Sequence, residues 1–108
     1  MRTTYSLVLV AATLMAEADR HHWGYELSRQ SGVRSGVMYP ILTRMLQEGW
    51  LEDGWEAQTG TSRAKRPPRR YYRLTLEGKA ALSQLLNSAR RDARFTDMAT
   101  RLATGSVG

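Results

Sequence analysis

Ser35-Gly36-Val37-Met38-Tyr39-Pro40-Ile41-Leu42-Thr43-Arg44-Met45-Leu46-Gln47-Glu48 is the stretch that decides the fold. Val37, Met38, Ile41, Leu42, Met45 and Leu46 recur three and four residues apart, a spacing that collects apolar side chains on one side of a helix. Gly36, Tyr39, Pro40, Thr43, Arg44 and Gln47 take the opposite side. Ser35 is the expected N-cap, because its hydroxyl can accept from the open N–H groups of the first turn. Gly49, which tolerates a left-handed backbone, is expected to stop the helix after Glu48. Pro40 is expected near the first turn, where a missing N–H does least harm, and Gly36 has no side chain to crowd its ring. Two roles fit such a helix. It is an ordinary amphipathic helix with a solvated side, or its polar side meets nucleic acid. In the second case Arg44 reaches a guanine edge or a phosphate, Tyr39 and Thr43 donate to phosphate, and Gly36 allows close backbone approach.

Upstream, residues 31–34 compose a turn in which Gly32 is free to take a positive φ. Residues 25–30 form a short segment anchored by Leu27. Residues 5–16 are apolar almost all round and end at Glu17-Ala18-Asp19-Arg20, as suits a central helix covered on several sides. Arg2, the apolar run 7–16 and Ala16-Glu17-Ala18 together imitate a secretory signal. That run is too short to span a bilayer, and its removal would strip the remainder of its most hydrophobic segment. It is read as a buried helix, in a cytoplasmic protein with no membrane partner.

Downstream, residues 50–56 and 71–75 are rich in aromatic and β-favouring types, and they flank the loop 57–70. Arg63, Lys65, Arg66, Arg69, Arg70 and Arg73 fall within that loop and the start of the second strand, with no acid among them. Such a cluster attracts polyanions, because each neutralised phosphate releases condensed counterions; it also fits a solvated loop. Pro67-Pro68 stiffens it. Thr75 is expected to cap a last helix with Glu77 in its first turn. Ala81, Leu82, Leu85, Leu86 and Ala89 form its stripe, weakening through Ala93. A break after Phe95 and a restart at Thr96 would put Met98, Ala99 and Leu102 on one side, ahead of a frayed tail 103–108.

The 108 residues, 42% of them hydrophobic, suit one domain with one modest core, and a partner subunit would add stability. The chain has no cysteine, which excludes disulfides, Cys-rich zinc sites and thiol catalysis. His21-His22, near Glu17 and Asp19, is the one place a metal comes to mind. Adjacent histidines point apart and no further ligand cluster is visible, so neither a metal nor a cofactor is expected. No Ser-His-Asp set, Gly-rich phosphate loop or catalytic carboxylate pair stands out, and an enzyme is not expected. Tyr5, Trp23, Trp50, Trp55 and Phe95 read as core or strand-pair packing.

Helix, helix, turn, helix, strand, basic loop, strand, helix is the order of a winged helix-turn-helix: mainly α with a small β-hairpin. Residues 1–76 would form that unit with the loop 57–70 as its wing, and 77–102 a C-terminal helical region. Placed beside the 35–48 helix, the wing can lie along a DNA backbone or enter a minor groove.

Gly24-Tyr25-Glu26-Leu27, Ser35-Gly36-Val37-Met38-Tyr39-Pro40-Ile41-Leu42, Leu46-Gln47-Glu48-Gly49-Trp50-Leu51 and Arg69-Arg70-Tyr71-Tyr72-Arg73-Leu74-Thr75-Leu76-Glu77-Gly78 follow one another in an order that resembles the PadR family of bacterial transcriptional regulators. The resemblance covers roughly residues 5–86. It implies a homodimeric winged-helix repressor of nearby genes, whose 35–48 helix enters the major groove of double-stranded DNA while Tyr39 touches the backbone. It also implies pairing through the terminal helices, here by Leu82, Leu85, Leu86, Ala89 and Ala93, and release by a small aromatic or drug-like effector, with Tyr5, Phe95 and Met98 as candidate contacts. The DNA-binding set is then Ser35, Gly36, Tyr39, Pro40, Thr43, Arg44, Arg63, Lys65, Arg66, Arg69 and Arg70, reading a pseudo-palindromic operator. Two features depart from the family pattern. The wing is longer and more basic than a tight Gly-Arg-Pro turn, and the last helix is charged at Arg90-Arg91-Asp92 and Arg94. The competing readings are a winged-helix module docking an acidic protein and a non-specific architectural DNA binder. Arg34 and Arg44 flank the polar side of the helix, with Glu48 its only acid, which favours nucleic acid.

Overall fold

Thr4 holds an extended backbone, and its hydroxyl accepts from the Leu7 N–H at 3.1 Å, which starts helix α1, Tyr5–Ala16. The computed structural model describes residues 2–56 and 68–95. Leu7, Val10, Ala11 and Leu14 of α1 are at most 1% exposed, so the helix is covered on several sides as its all-round apolarity implies. A two-residue strand β1, His22–Trp23, follows, then helix α2, Gly24–Ser31, slightly longer than the segment expected from sequence. Gly32 closes α2 at φ +74°, its N–H donating to the Ser28 carbonyl. The Ser28 hydroxyl donates to the Val33 carbonyl at 2.7 Å, and the Ser31 hydroxyl accepts from the Val33 N–H at 3.1 Å. These bonds fix the turn into the next helix.

Helix α3, Ser35–Gln47, differs from expectation in three ways. Arg34, with extended dihedrals, is its N-cap and makes no side-chain cap bond, so Ser35 is the first helical residue. Pro40 sits in the second turn, one turn later than expected. Its missing N–H leaves the Gly36 carbonyl without a helical donor, on an exposed stretch where water can serve. Val37 is 42% exposed, whereas Met38, Leu42 and Met45 are fully buried and Ile41 and Leu46 are half-buried.

The expected hairpin is present as β2, Leu51–Trp55, and β3, Arg70–Leu74, and β1 joins it to make a three-stranded antiparallel sheet in the order β1-β3-β2. Leu51 pairs with Leu74, Glu52 with Arg73, Asp53 with Tyr72, Gly54 with Tyr71 and Trp55 with Arg70, while His22 and Trp23 pair with Tyr72 and Tyr71. Two residues carry no alternation, which is why β1 has no signature in the sequence. The Tyr71 ring covers Gly54, where a side chain would overlap it, and stacks on His21 with centroids 4.0 Å apart. His22 is buried, and its Nε2–H donates to the Glu17 carbonyl at 2.9 Å. Each histidine is thus engaged within the fold.

Thr75 caps helix α4, Leu76–Arg91, accepting from the Gly78 N–H at 2.9 Å and donating to the Gly49 carbonyl at 2.6 Å. Glu77 in the first turn and Arg90 and Arg91 in the last suit the helix dipole. Leu82 enters the main core beside α1, and burying such a side chain stabilises by roughly 1.5–3 kcal/mol. The helix stops at Arg91, short of the expected weaker stripe, and a single 3-10 turn, Ala93–Phe95, folds back. Phe95 there packs with Val8 and Ala89 in a second small cluster. The expected restart at Thr96, with Met98, Ala99 and Leu102, and the tail lie outside the described residues. With α2, turn and α3 followed by the strand pair, the architecture is a winged helix-turn-helix.

Candidate nucleic-acid interface

Ser35, Gly36, Tyr39, Pro40, Thr43 and Arg44 are all exposed, and all but Ser35, one turn ahead of Met38 at the helix start, are turned away from the side of Met38, Leu42 and Met45. Nothing lies within 4 Å of where a Gly36 side chain would begin, so the start of the helix is open to a partner. Arg34, at the same end, is exposed and has no carboxylate partner among the described residues. Arg44 pairs through Nε with Glu48 Oε1 at 3.3 Å, one turn on, a solvated pair worth roughly 0.3–0.5 kcal/mol.

Tyr39 is where the helices meet the sheet. Its ring lies over Gly24 at the start of α2, so closely that any side chain at Gly24 would overlap it. Gly24 follows Trp23, which pairs with Tyr71 of β3 and whose ring lies against the Arg69 guanidinium. Side chains alternate along a strand, so Leu51, Asp53 and Trp55 share one side of the sheet with Leu74, Tyr72 and Arg70. The first part of that side is core: Leu51, Tyr72 and Leu74 are buried. Beyond it Asp53, Arg70 and Trp55 emerge into solvent, with Trp55 66% exposed. Of the aromatics expected in core or strand-pair packing, Phe95 is buried and Trp55 stands in the strand pair opposite Arg70, whereas Tyr5, 46% exposed, is in neither.

The arginines described in the wing each have an acid from β2 or from Glu56, the residue that follows it. Arg70 Nε donates to Asp53 Oδ2 at 2.7 Å and its Nη2 to the same oxygen. Arg69 Nε pairs with Glu56 Oε2 at 3.0 Å, and its guanidinium lies 4.7 Å from the Trp23 ring centroid. Arg73 pairs with Glu52. The hydrogen bond to Asp53 raises the Arg70 pKa further above its already high ordinary value, while burial pushes the Tyr72 phenol up. These carboxylates are absent from the basic cluster as it reads in sequence. Their partners lie 13, 17 and 21 residues away, and only the strand register brings them together. Arg63, Lys65 and Arg66 lie outside the described residues.

The candidate pairing and effector residues occupy several environments. Leu82 is fully buried in the chain's own core, Leu85 and Leu86 are half-buried beside both clusters, Ala89 packs on Val8 and Phe95, and Ala93 is exposed. Tyr5 stands exposed at the start of α1, Phe95 is taken up by the second cluster, and Met98 is outside the described residues. Among the described residues no group of His, Asp or Glu is gathered to hold a metal ion, and no helix is long and apolar enough to cross a membrane.

A family model described as the transcriptional regulator PadR-like family matches residues 13–84, which takes in α2, α3, the sheet and most of α4. No curated protein matches the chain. Among solved structures, a PadR family transcription regulator from Clostridium difficile R20291 is 22% identical with a TM-score of 0.62, over 97% of this chain and 100% of that one. A PadR-like transcriptional regulator from Bacillus cereus ATCC 14579 is 26% identical with a TM-score of 0.59, covering 94% of this chain and 93% of that one. The circadian clock associated protein Pex from Anabaena is 18% identical with a TM-score of 0.58, over 76% and 74% of the two chains.

Proposed function

The chain belongs to the PadR-like family, whose members are DNA-binding transcription regulators and not enzymes, and from that premise we propose that it is a dimeric, sequence-specific repressor. The observation that carries the proposal is the junction at Tyr39, which stands on the exposed polar side of α3 with its ring over Gly24, next to Trp23, which pairs with β3 and carries the Arg69 guanidinium. A duplex seated there meets α3 and Arg69 at once. Arg44 and Thr43 point to the groove, Ser35, Gly36 and Pro40 allow close approach, and Tyr39 donates to the backbone. Arg69 and Arg70, with Arg63, Lys65 and Arg66, supply phosphate contacts that carry affinity more than sequence preference.

Pairing through α4 and α1 would set two α3 helices about 34 Å apart, matched to successive major grooves of a pseudo-palindrome. Leu82 and Ala89 serve that dimer by docking α4 on the chain's own clusters, which leaves Leu85, Leu86 and Ala93 to the neighbourhood of the partner. A small aromatic effector bound near Tyr5, Phe95 and Met98 would change the angle between α1 and α4 and so the spacing of the reading helices. The site of action is the cytoplasm, where the chromosome lies.

The test is fluorescence anisotropy with a duplex from the gene's own upstream region, beside a scrambled duplex, across a salt series. Retention of the native duplex at salt that releases the scrambled one is the expected result. Equal release of both would make this a non-specific architectural binder, and no binding even at low salt would favour a module for an acidic protein.

A further inference from the structure

We propose that Val37 reads the C5-methyl group of a thymine, so that each half-site carries a thymine at one fixed position. The inference rests on α3 as the reading helix. Val37 belongs by sequence to the apolar stripe, yet it is 42% exposed while Met38, its neighbour, is fully buried. It lies in the first turn of α3, the part of a recognition helix that meets base edges. Ser35 and Gly36 beside it are exposed, and the space around Gly36 is open. Arg44, seven residues on, stands two turns along the same side of the helix. An apolar surface and a strong donor therefore face outward in one line.

The chemistry of the groove selects the partner. Valine offers no hydrogen bond, and the thymine C5-methyl is the apolar feature that the major groove presents. A β-branched side chain in a helix is held near one rotamer, so its two methyl groups are already ordered before contact. Contact removes from water a valine surface that the fold leaves wet.

The experiment enriches a random duplex library on the full-length protein, then replaces each thymine of the enriched duplex singly with deoxyuridine, which deletes only the methyl. At one thymine per half-site the wild-type protein is expected to lose about fourfold in affinity, the effect of one buried methyl. Val37→Ala should bind the thymine duplex more weakly and show no further loss with deoxyuridine at that position. Deoxyuridine penalties equal in the two proteins, or absent from both, overturn the role of Val37 while leaving α3 as the reading helix. A library that yields no preferred duplex overturns the sequence-specific reading itself.

Discussion

Gly78 has room for a hydrogen and nothing larger. A side chain there would overlap the Trp50 carbonyl oxygen, a backbone atom that cannot swing aside as the Tyr39 ring over Gly24 can. Gly78→Ala is expected to destabilise by about 1–3 kcal/mol, seen as a lower denaturant midpoint at unchanged slope. An unchanged midpoint would mean that α4 and Trp50 separate without cost. His22 sets a second expectation. Burial pushes its imidazole pKa below the ordinary 6.5, outweighing the hydrogen bond to the Glu17 carbonyl, and Arg20 adds to the lowering while Glu17 and Glu26 oppose it. The folded protein therefore binds fewer protons at this site than the unfolded chain. Its contribution is complete above about 6.5 and is lost as the pH falls through that value toward the depressed folded one. The melting temperature should fall between about pH 7 and pH 5, and His22→Gln should flatten that part of the profile. An identical profile in the variant would sink the assignment.

At the scale of elements, β2 and β3 form a wing whose arginines arrive already paired. Exposed pairs of this kind contribute at most about 1 kcal/mol each, so a phosphate can displace the carboxylate. Asp53→Asn frees Arg70 and is expected to raise affinity for a scrambled duplex at low salt, steepening the salt slope by about one. Arg70→Ala should shift the slope the other way. If neither substitution moves it, Arg70 stays with Asp53 in the complex and contributes no phosphate contact. These pairs also mark what is legible in the sequence and what is not. Helices α1, α3 and α4 are legible because apolar spacing, Thr75 and Gly49 each obey a local rule, and the polar side of α3 comes with them. Val37 is misassigned because spacing gives the side of a helix and not how far the packing reaches toward its start. Arg34 takes the cap expected of Ser35 because backbone conformation, set by the bonds of Ser28 and Ser31 to Val33, outranks side-chain preference. The acids beside Arg69, Arg70 and Arg73 are a matter of register across a long loop, which no local pattern encodes.

Over the whole molecule, the main core draws on all four helices and on the sheet, and if the chain pairs as proposed, mass action ties its stability to concentration. The melting temperature is expected to rise with protein concentration over the micromolar range, and a concentration-independent value would argue for a stable monomer. The sheet order has a different consequence. β3 lies between β1 and β2, and the Glu56 N–H donates to the Arg69 carbonyl at 2.7 Å, so both ends of the connection 57–67 are tied to fixed strands. Closing a segment between two fixed points grows harder only with the logarithm of its length, about 0.6 kcal/mol for each doubling. Insertions and deletions between those ends can therefore change the reach and charge of the wing from one lineage to the next while the body that carries α3 stays the same.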